Sequence, residues 1–234
     1  MSESTKNALI VGVGPGLGGA AAKRLAADGY RVALAARNVE KLSEVATDTG
    51  GLALAMDATD PSSIETGIAQ VEEKLGDIHT VVWNVGGGAF GDLEQVGIEA
   101  LQLALDTNAR GLFVLAKRLL PAMAARGDGG LVITGATASL RGKPFTTAFA
   151  AGKAAQRSLA QSLARQYGKQ GVHVALIIID GMVDLPSTRE RMPDTPQEAF
   201  VSPEGYADAV SFLLQQRRGA WTFELDIRPH VEDW

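Results

Sequence analysis

The chain has 234 residues, 46% of them hydrophobic and 21% charged, which is apolar material for one sizeable core and too little length for two. Its formal net charge of −5, with lysines and arginines scattered, excludes the basic stripe that a phosphate backbone demands, so nucleic acid is not an expected partner. With no cysteine and three histidines far apart (His79, His173, His230), disulfides, thiol nucleophiles and thiolate metal sites are excluded, no metal is expected, and a cytoplasmic location fits best.

The polar opening MSESTKN leads directly into a short apolar run, and no stretch nears membrane-spanning length, so neither a signal peptide nor a membrane partner is expected. From there, short and almost continuously apolar runs predict strands at 8–13, 31–36, 52–56, 80–85, 131–136, 172–179 and 221–227. Stretches of helical period lie between them at 16–28, 38–48, 61–75, 97–125, 147–169 and 203–217, with Pro61 and Pro203 suited to first turns and Gly29, Gly127 and Gly171 to helix ends. Strands without in/out alternation are covered on both faces, and helices of this length serve as crossovers. The expectation is an α/β fold: one Rossmann-type domain over 1–234, a doubly wound parallel sheet of about seven strands with helices on both faces. The proline-punctuated, charged segment 184–201, DLPSTRERMPDTPQEAFV, is read as an irregular lid over the crevice at the strand ends, with an ordinary solvated loop as the alternative.

Residues 8–18 read ALIVGVGPGLG, a strand entering a turn made of Gly12, Gly14, Pro15, Gly16, Leu17 and Gly18, followed by good helix formers. Gly12 permits the sharp exit from the strand, Gly16 removes a side chain that would block a pyrophosphate, and Gly18 lets the helix pack closely while its first amides face the anion. Placed between a strand and a helix, the turn points to dinucleotide binding rather than to a structural bend.

From this turn onward the chain resembles the short-chain dehydrogenase/reductase family along almost its whole length. Asp57, followed by Ala58 in LAMDATD, looks like the family's aspartate beside the adenine amino group, and Asn84-Val85-Gly86 looks like its Asn-Ala-Gly turn, with Trp83 replacing the usual first asparagine. Asn108 stands at the helix-bending asparagine, Lys153 at the lysine that holds the nicotinamide ribose, and Val183 where backbone groups meet the nicotinamide amide. The resemblance implies a nicotinamide dinucleotide, a small-molecule substrate, and a homodimer or homotetramer built on helices 97–125 and 147–169, where Ala148, Ala151, Gly152 and Ala155 allow either close helix approach or packing on the sheet. At the end of the second strand, ALAARN sets Ala36 in the carboxylate position and Arg37 after it; a planar fork suited to a 2′-phosphate favours NADP(H), with NAD(H) possible. Pro15 occupies a position where many NADP-using relatives carry a second basic residue, and Leu185 replaces a threonine often found at the diphosphate.

The resemblance breaks at the proton-handling groups. In GATASLRGKPFTTAFAAGK, Lys153 is in place, but Phe149 stands at the family's tyrosine and Ala136 at its serine. A phenyl ring neither donates nor accepts a proton, and loss of a general acid costs about 10²–10⁴ in rate. Thr137, one residue past the serine slot, is the first candidate to polarise a carbonyl; its alternative role is to cap the strand end. Asp180, where the family has proline, is read as a turn-former bonding loop amides, or else as an acid near the nicotinamide. The expected catalytic set is therefore Lys153, Asn108 and Thr137, in an NADP(H)-dependent oxidoreductase for a carbonyl or alcohol with an atypical proton route. The alternatives are a catalytically silent dinucleotide-binding sensor or interaction subunit, and a lyase or isomerase on the same fold.

Overall fold

The computed structural model describes residues 5–233, so the start of MSESTKN and the terminal Trp234 lie outside the described residues. The strands are β1 (Asn7–Val11), β2 (Arg31–Ala36), β3 (Leu52–Ala55), β4 (Ile78–Trp83), β5 (Gly129–Thr134), β6 (Val172–Ile179), β7 (Met182–Val183), β8 (Phe200–Val201) and β9 (Glu224–Ile227). The helices are α1 (Leu17–Ala27), α2 (Ser43–Thr49), α3 (Pro61–Leu75), α4 (Ile98–Leu105), α5 (Gly111–Arg126), α6 (Thr147–Tyr167), α7 (Pro186–Arg191) and α8 (Pro203–Leu214). Seven strands form one sheet in the order β3-β2-β1-β4-β5-β6-β9, and every pairing in it is parallel.

Alternate residues of each strand feed opposite cores. Leu9, Val11 and Ile133 face Leu112, Leu115 and Ile68 of α5 and α3, while Ala8, Ile10 and Val132 face Leu25 of α1 and Val210 and Leu213 of α8. Both faces being covered explains the unbroken apolar runs, and each fully buried leucine contributes roughly 1.5–3 kcal/mol. The prolines act at helix starts as expected: Asp60 accepts from the Ser62 amide ahead of α3, and Ser202 accepts from the Gly205 amide ahead of α8. Strand order reverses between β1 and β4, which opens a crevice at their C-terminal ends, the place where such sheets receive ligands.

Two expectations need correction. The single helix expected over 97–125 is α4 and α5 joined by a wide π-turn at Asp106–Arg110. Asn108 causes the break: its Nδ2 donates 2.8 Å to the Ala104 carbonyl, taking the acceptor that a backbone amide uses in a regular helix. Nor is 184–201 irregular throughout. It carries α7, started by Pro186, and is closed at its base where β7 pairs with β8. Arg189 fixes it by a bidentate pair to Asp184 (2.7 and 2.9 Å) and by lying 4.3 Å over the Phe200 ring.

Candidate active site

The turn after β1 is closed from the neighbouring strand. Gly12 adopts φ +87°, and a Cβ there would run into the Asn84 carbonyl. Asn84 Nδ2 donates 2.9 Å to the Gly12 carbonyl, and a Cβ on Gly18 would sit 2.5 Å from that same oxygen. Gly14 is different, since a Cβ there meets nothing within 4 Å. No side chain caps α1 at Gly16, and although the Gly19 amide donates 3.0 Å to the Gly14 carbonyl, the Leu17 and Gly18 amides stay available to an anion. The backbone at Gly12 and Gly18 has the shape of a diphosphate cradle, but the space that Gly16 leaves is held by the Leu185 side chain, whose Cδ2 a Cβ on Gly16 would run into, and a diphosphate would need that flexible side chain to turn aside.

A cavity of about 1060 Å³ runs from this turn to α6. It collects Gly12, Gly14, Pro15, Gly16, Leu17, Gly18, Asn84, Val85, Gly86, Thr137, Lys153 and Val183 from the expected site. Arg37, Asp57, Ala58 and Asn108 do not line it. Arg37 is exposed just past β2 and has no hydrogen bond or ion pair among the described residues. Asp57 Oδ1 is occupied by the Thr59 amide and hydroxyl at 2.9 and 2.8 Å. Ala58 is buried, and a Cβ on Gly111 would run into its carbonyl oxygen.

Lys153 is buried, its Nζ donating to the Thr134 carbonyl at 2.9 Å and to Gln156 Oε1 at 3.1 Å. Burial alone lowers its ammonium to about 7, because no carboxylate or phenol replaces the lost hydration. Asn108 is fully buried; Nδ2 serves Gly87 and Ala104, and Oδ1 accepts no hydrogen bond among the described residues. Gly86 leaves space between the two groups, since a Cβ there would lie 3.4 Å from Lys153 Nζ and 4.0 Å from Asn108 Oδ1.

Thr137 donates 2.6 Å to Asp180 Oδ1, with the Ile179 carbonyl a second acceptor at 3.1 Å. Its one hydrogen is thus directed at the end of β6, the geometry of the capping alternative. Asp180 bonds no run of loop amides; it accepts from Thr137 and faces Arg228 at 3.5 Å and Arg141 at 3.9 Å. Phe149 stands in the cavity wall and touches Phe90, ring centroids 5.0 Å apart. Sequence reading missed Phe90, Gln156 and Tyr206. Tyr206 is wholly buried in α8, 2.6 Å from Thr134 Oγ1, and no motif spacing connects positions so far apart. Of the small residues of α6, Gly152 acts within the chain, since a Cβ on it would sit 2.6 Å from the Ala104 carbonyl of α4, and Ala148 is buried, while Ala151 is exposed.

The family model for short chain dehydrogenases matches residues 6–196, so the chain belongs to that family of oxidoreductases. An uncharacterised oxidoreductase of Staphylococcus epidermidis is 27% identical over 226 residues, 96% of this chain and 97% of the relative. Among solved structures, a short-chain dehydrogenase from Rhodopseudomonas palustris is 29% identical with a TM-score of 0.83, covering 97% of this chain and 100% of that one. An alcohol dehydrogenase from the archaeon Thermococcus sibiricus, complexed with 5-hydroxy-NADP, is 27% identical with a TM-score of 0.86, covering 98% and 99%. No helix among the described residues is long and apolar enough to cross a membrane.

Proposed function

We propose that the chain is an NADP(H)-dependent oxidoreductase for a small carbonyl or alcohol compound, with NAD(H) the weaker cofactor and a proton route that uses no phenol. The observation carrying this reading is that the uncapped glycine turn and Lys153 open into one cavity. The turn residues Gly12 to Gly18 would hold the diphosphate, Asp57 and Ala58 would flank the base, and Asn84, Val85, Gly86, Lys153 and Val183 would line the path to the nicotinamide. Two-electron transfer is the chemistry a bound nicotinamide supplies there. The exposed Arg37 fork supports the extra phosphate, as does the 5-hydroxy-NADP held by the Thermococcus sibiricus relative.

Lys153 carries the proton in this reading. Its ammonium, brought to about 7, is matched to neutral solution. Asn108 Oδ1, buried without a donor among the described residues and outside the cavity lining, would accept from a water shared with Lys153, and Lys153, which lines the cavity, would be the group that meets the substrate. Exposed apolar side chains on α4 and α5, Ile98, Leu103 and Phe113, support a homodimer or homotetramer, and the lack of cysteine supports a cytoplasmic location.

Fluorescence titration with NADPH and NADH, followed by NADPH absorbance across a panel of carbonyl compounds, tests the reading. Tighter NADPH binding with substrate-dependent oxidation is expected; no affinity for either dinucleotide overturns it. Phe149, Ala136 and the committed Thr137 hydrogen favour a second reading, a dinucleotide-binding sensor, which NADPH binding without oxidation across the panel would select.

A further inference from the structure

One end of the cavity is walled by aromatic carbon. Phe149 and Phe90 meet with centroids 5.0 Å apart and planes tilted by 37°, and Phe145 lines the same space. Gly88 holds the Phe90 loop close to α6, because a Cβ there would sit 3.2 Å from the Phe149 ring. Phe90 is 63% and Phe145 53% exposed. Rings left open to water in a concave site suit a flat apolar molecule that stacks on them.

Hydroxyl donors are missing or spent in this cavity. Phe149 and Ala136 carry no hydroxyl and Thr137 donates to Asp180 at 2.6 Å, so, beside the exposed Arg141 and Lys143, the buried Lys153 of the reading above is the one proton carrier left. Reduction of a saturated ketone produces an alkoxide, which calls for a positioned acid in the transition state. Reduction of a quinone produces a phenolate, whose conjugate acid has a pKa of about 10, and solvent protonates it afterwards without help from the protein.

Building on the oxidoreductase reading above, we propose that this end of the cavity takes a flat, quinone-type conjugated dicarbonyl stacked on Phe90 and Phe149. In its reduction one quinone oxygen gains an O–H bond by taking up hydrogen with two electrons from the reduced nicotinamide, which is left oxidised. The other oxygen holds the electron pair as phenolate, and one solvent proton completes the hydroquinone.

Equilibrium dialysis tests this without turnover, using menadione as the flat quinone and trans-decalone as a saturated bicyclic ketone, each with and without saturating NADP⁺. The protein should retain menadione and not decalone. Phe90→Ala should weaken menadione retention by about three- to tenfold with NADPH binding unchanged, and Phe212→Ala, on the exposed side of α8, should have no effect. If Phe90→Ala does not fold, Phe90→Leu keeps the bulk and removes the ring. Protein that binds NADPH but holds menadione no better than decalone, or is indifferent to loss of the Phe90 ring, overturns the substrate class and leaves the cofactor reading standing. Protein without affinity for NADPH overturns that reading, and this one with it.

Discussion

The Tyr206 hydroxyl lies 2.6 Å from Thr134 Oγ1, and Thr134 donates 3.0 Å to Asn84 Oδ1, so Tyr206 is the donor in the shorter contact. Asn84 passes the connection on through Nδ2 to the Gly12 carbonyl. A side chain of α8 is thereby coupled through two others to the glycine turn. Burial, the larger influence, raises the Tyr206 phenol above its ordinary value and the Thr134 hydrogen bond lowers it, so the donor stays protonated at neutral pH.

Tyr206→Phe removes that donor and leaves Thr134 bonded to Asn84. The expected loss is about 1 kcal/mol in urea denaturation, with NADPH affinity falling a few-fold as the turn loosens. Unchanged affinity in a protein of reduced stability would confine Tyr206 to holding the fold.

Gly12 and Gly14 differ by two positions and should respond in opposite ways. Gly12→Ala combines a positive φ with a clash against the Asn84 carbonyl, so a loss of about 1–3 kcal/mol is expected along with dinucleotide binding. Gly14→Ala enters open space and should fold like the parent. Thermal unfolding of the pair checks the contrast.

Arg37→Ala should weaken NADPH by about 10–100-fold, the range for a hydrogen bond to a charged group, and leave NADH nearly unaffected. Parallel fluorescence titrations measure the ratio. Equal losses for both cofactors would place Arg37 on the adenine rather than on a phosphate.

Burial of Lys153 gives stability a pH dependence. Its folded value of about 7 lies below the unfolded 10.5, so between those limits the unfolded chain keeps a proton that the folded chain has released. Stability therefore rises with pH through that window, by at most ~1.4 kcal/mol per unit, and the full cost of burial is felt below it. In Lys153→Met this slope should vanish in urea denaturation at pH 7, 8 and 9.

Phe149→Tyr, combined with Ala136→Ser, restores a phenol and a hydroxyl in front of a lysine already in place. Saturated-ketone reduction should rise by about 10²–10⁴, seen as NADPH consumption. A well-folded double variant that binds NADPH and gains nothing would show that more than these two groups separates the cavity from ordinary ketone chemistry.

The sheet was legible because buried parallel strands are written as uninterrupted apolar runs, and the turn because Gly12 and Gly18 answer local steric demands visible in one segment. The break at Asn108 was legible only through the family's helix-bending asparagine, since helical period continues through Asp106–Arg110 and a side-chain bond to Ala104 widens it. Segment 184–201 looked irregular because its order comes from Arg189 meeting Asp184 and Phe200, contacts that leave no periodicity. Thr137 was identified as a site residue, yet its hydrogen goes to Asp180, a partner 43 positions away. Phe90 and Tyr206 were invisible for the same reason: the fold, and no spacing, brings them to Phe149 and Thr134.

The bond from Asn84 to Gly12 spans 72 positions, which has a consequence for biosynthesis. A ribosome adding about 5–20 residues per second finishes the glycine-rich stretch seconds before it makes the residue that locks it. Until β4 emerges and pairs with β1, the nascent amino-terminal segment has no finished cradle, and dinucleotide in the surrounding solution cannot act as a template for its folding. Capture of a dinucleotide at this turn is thus expected only after β4 has been made.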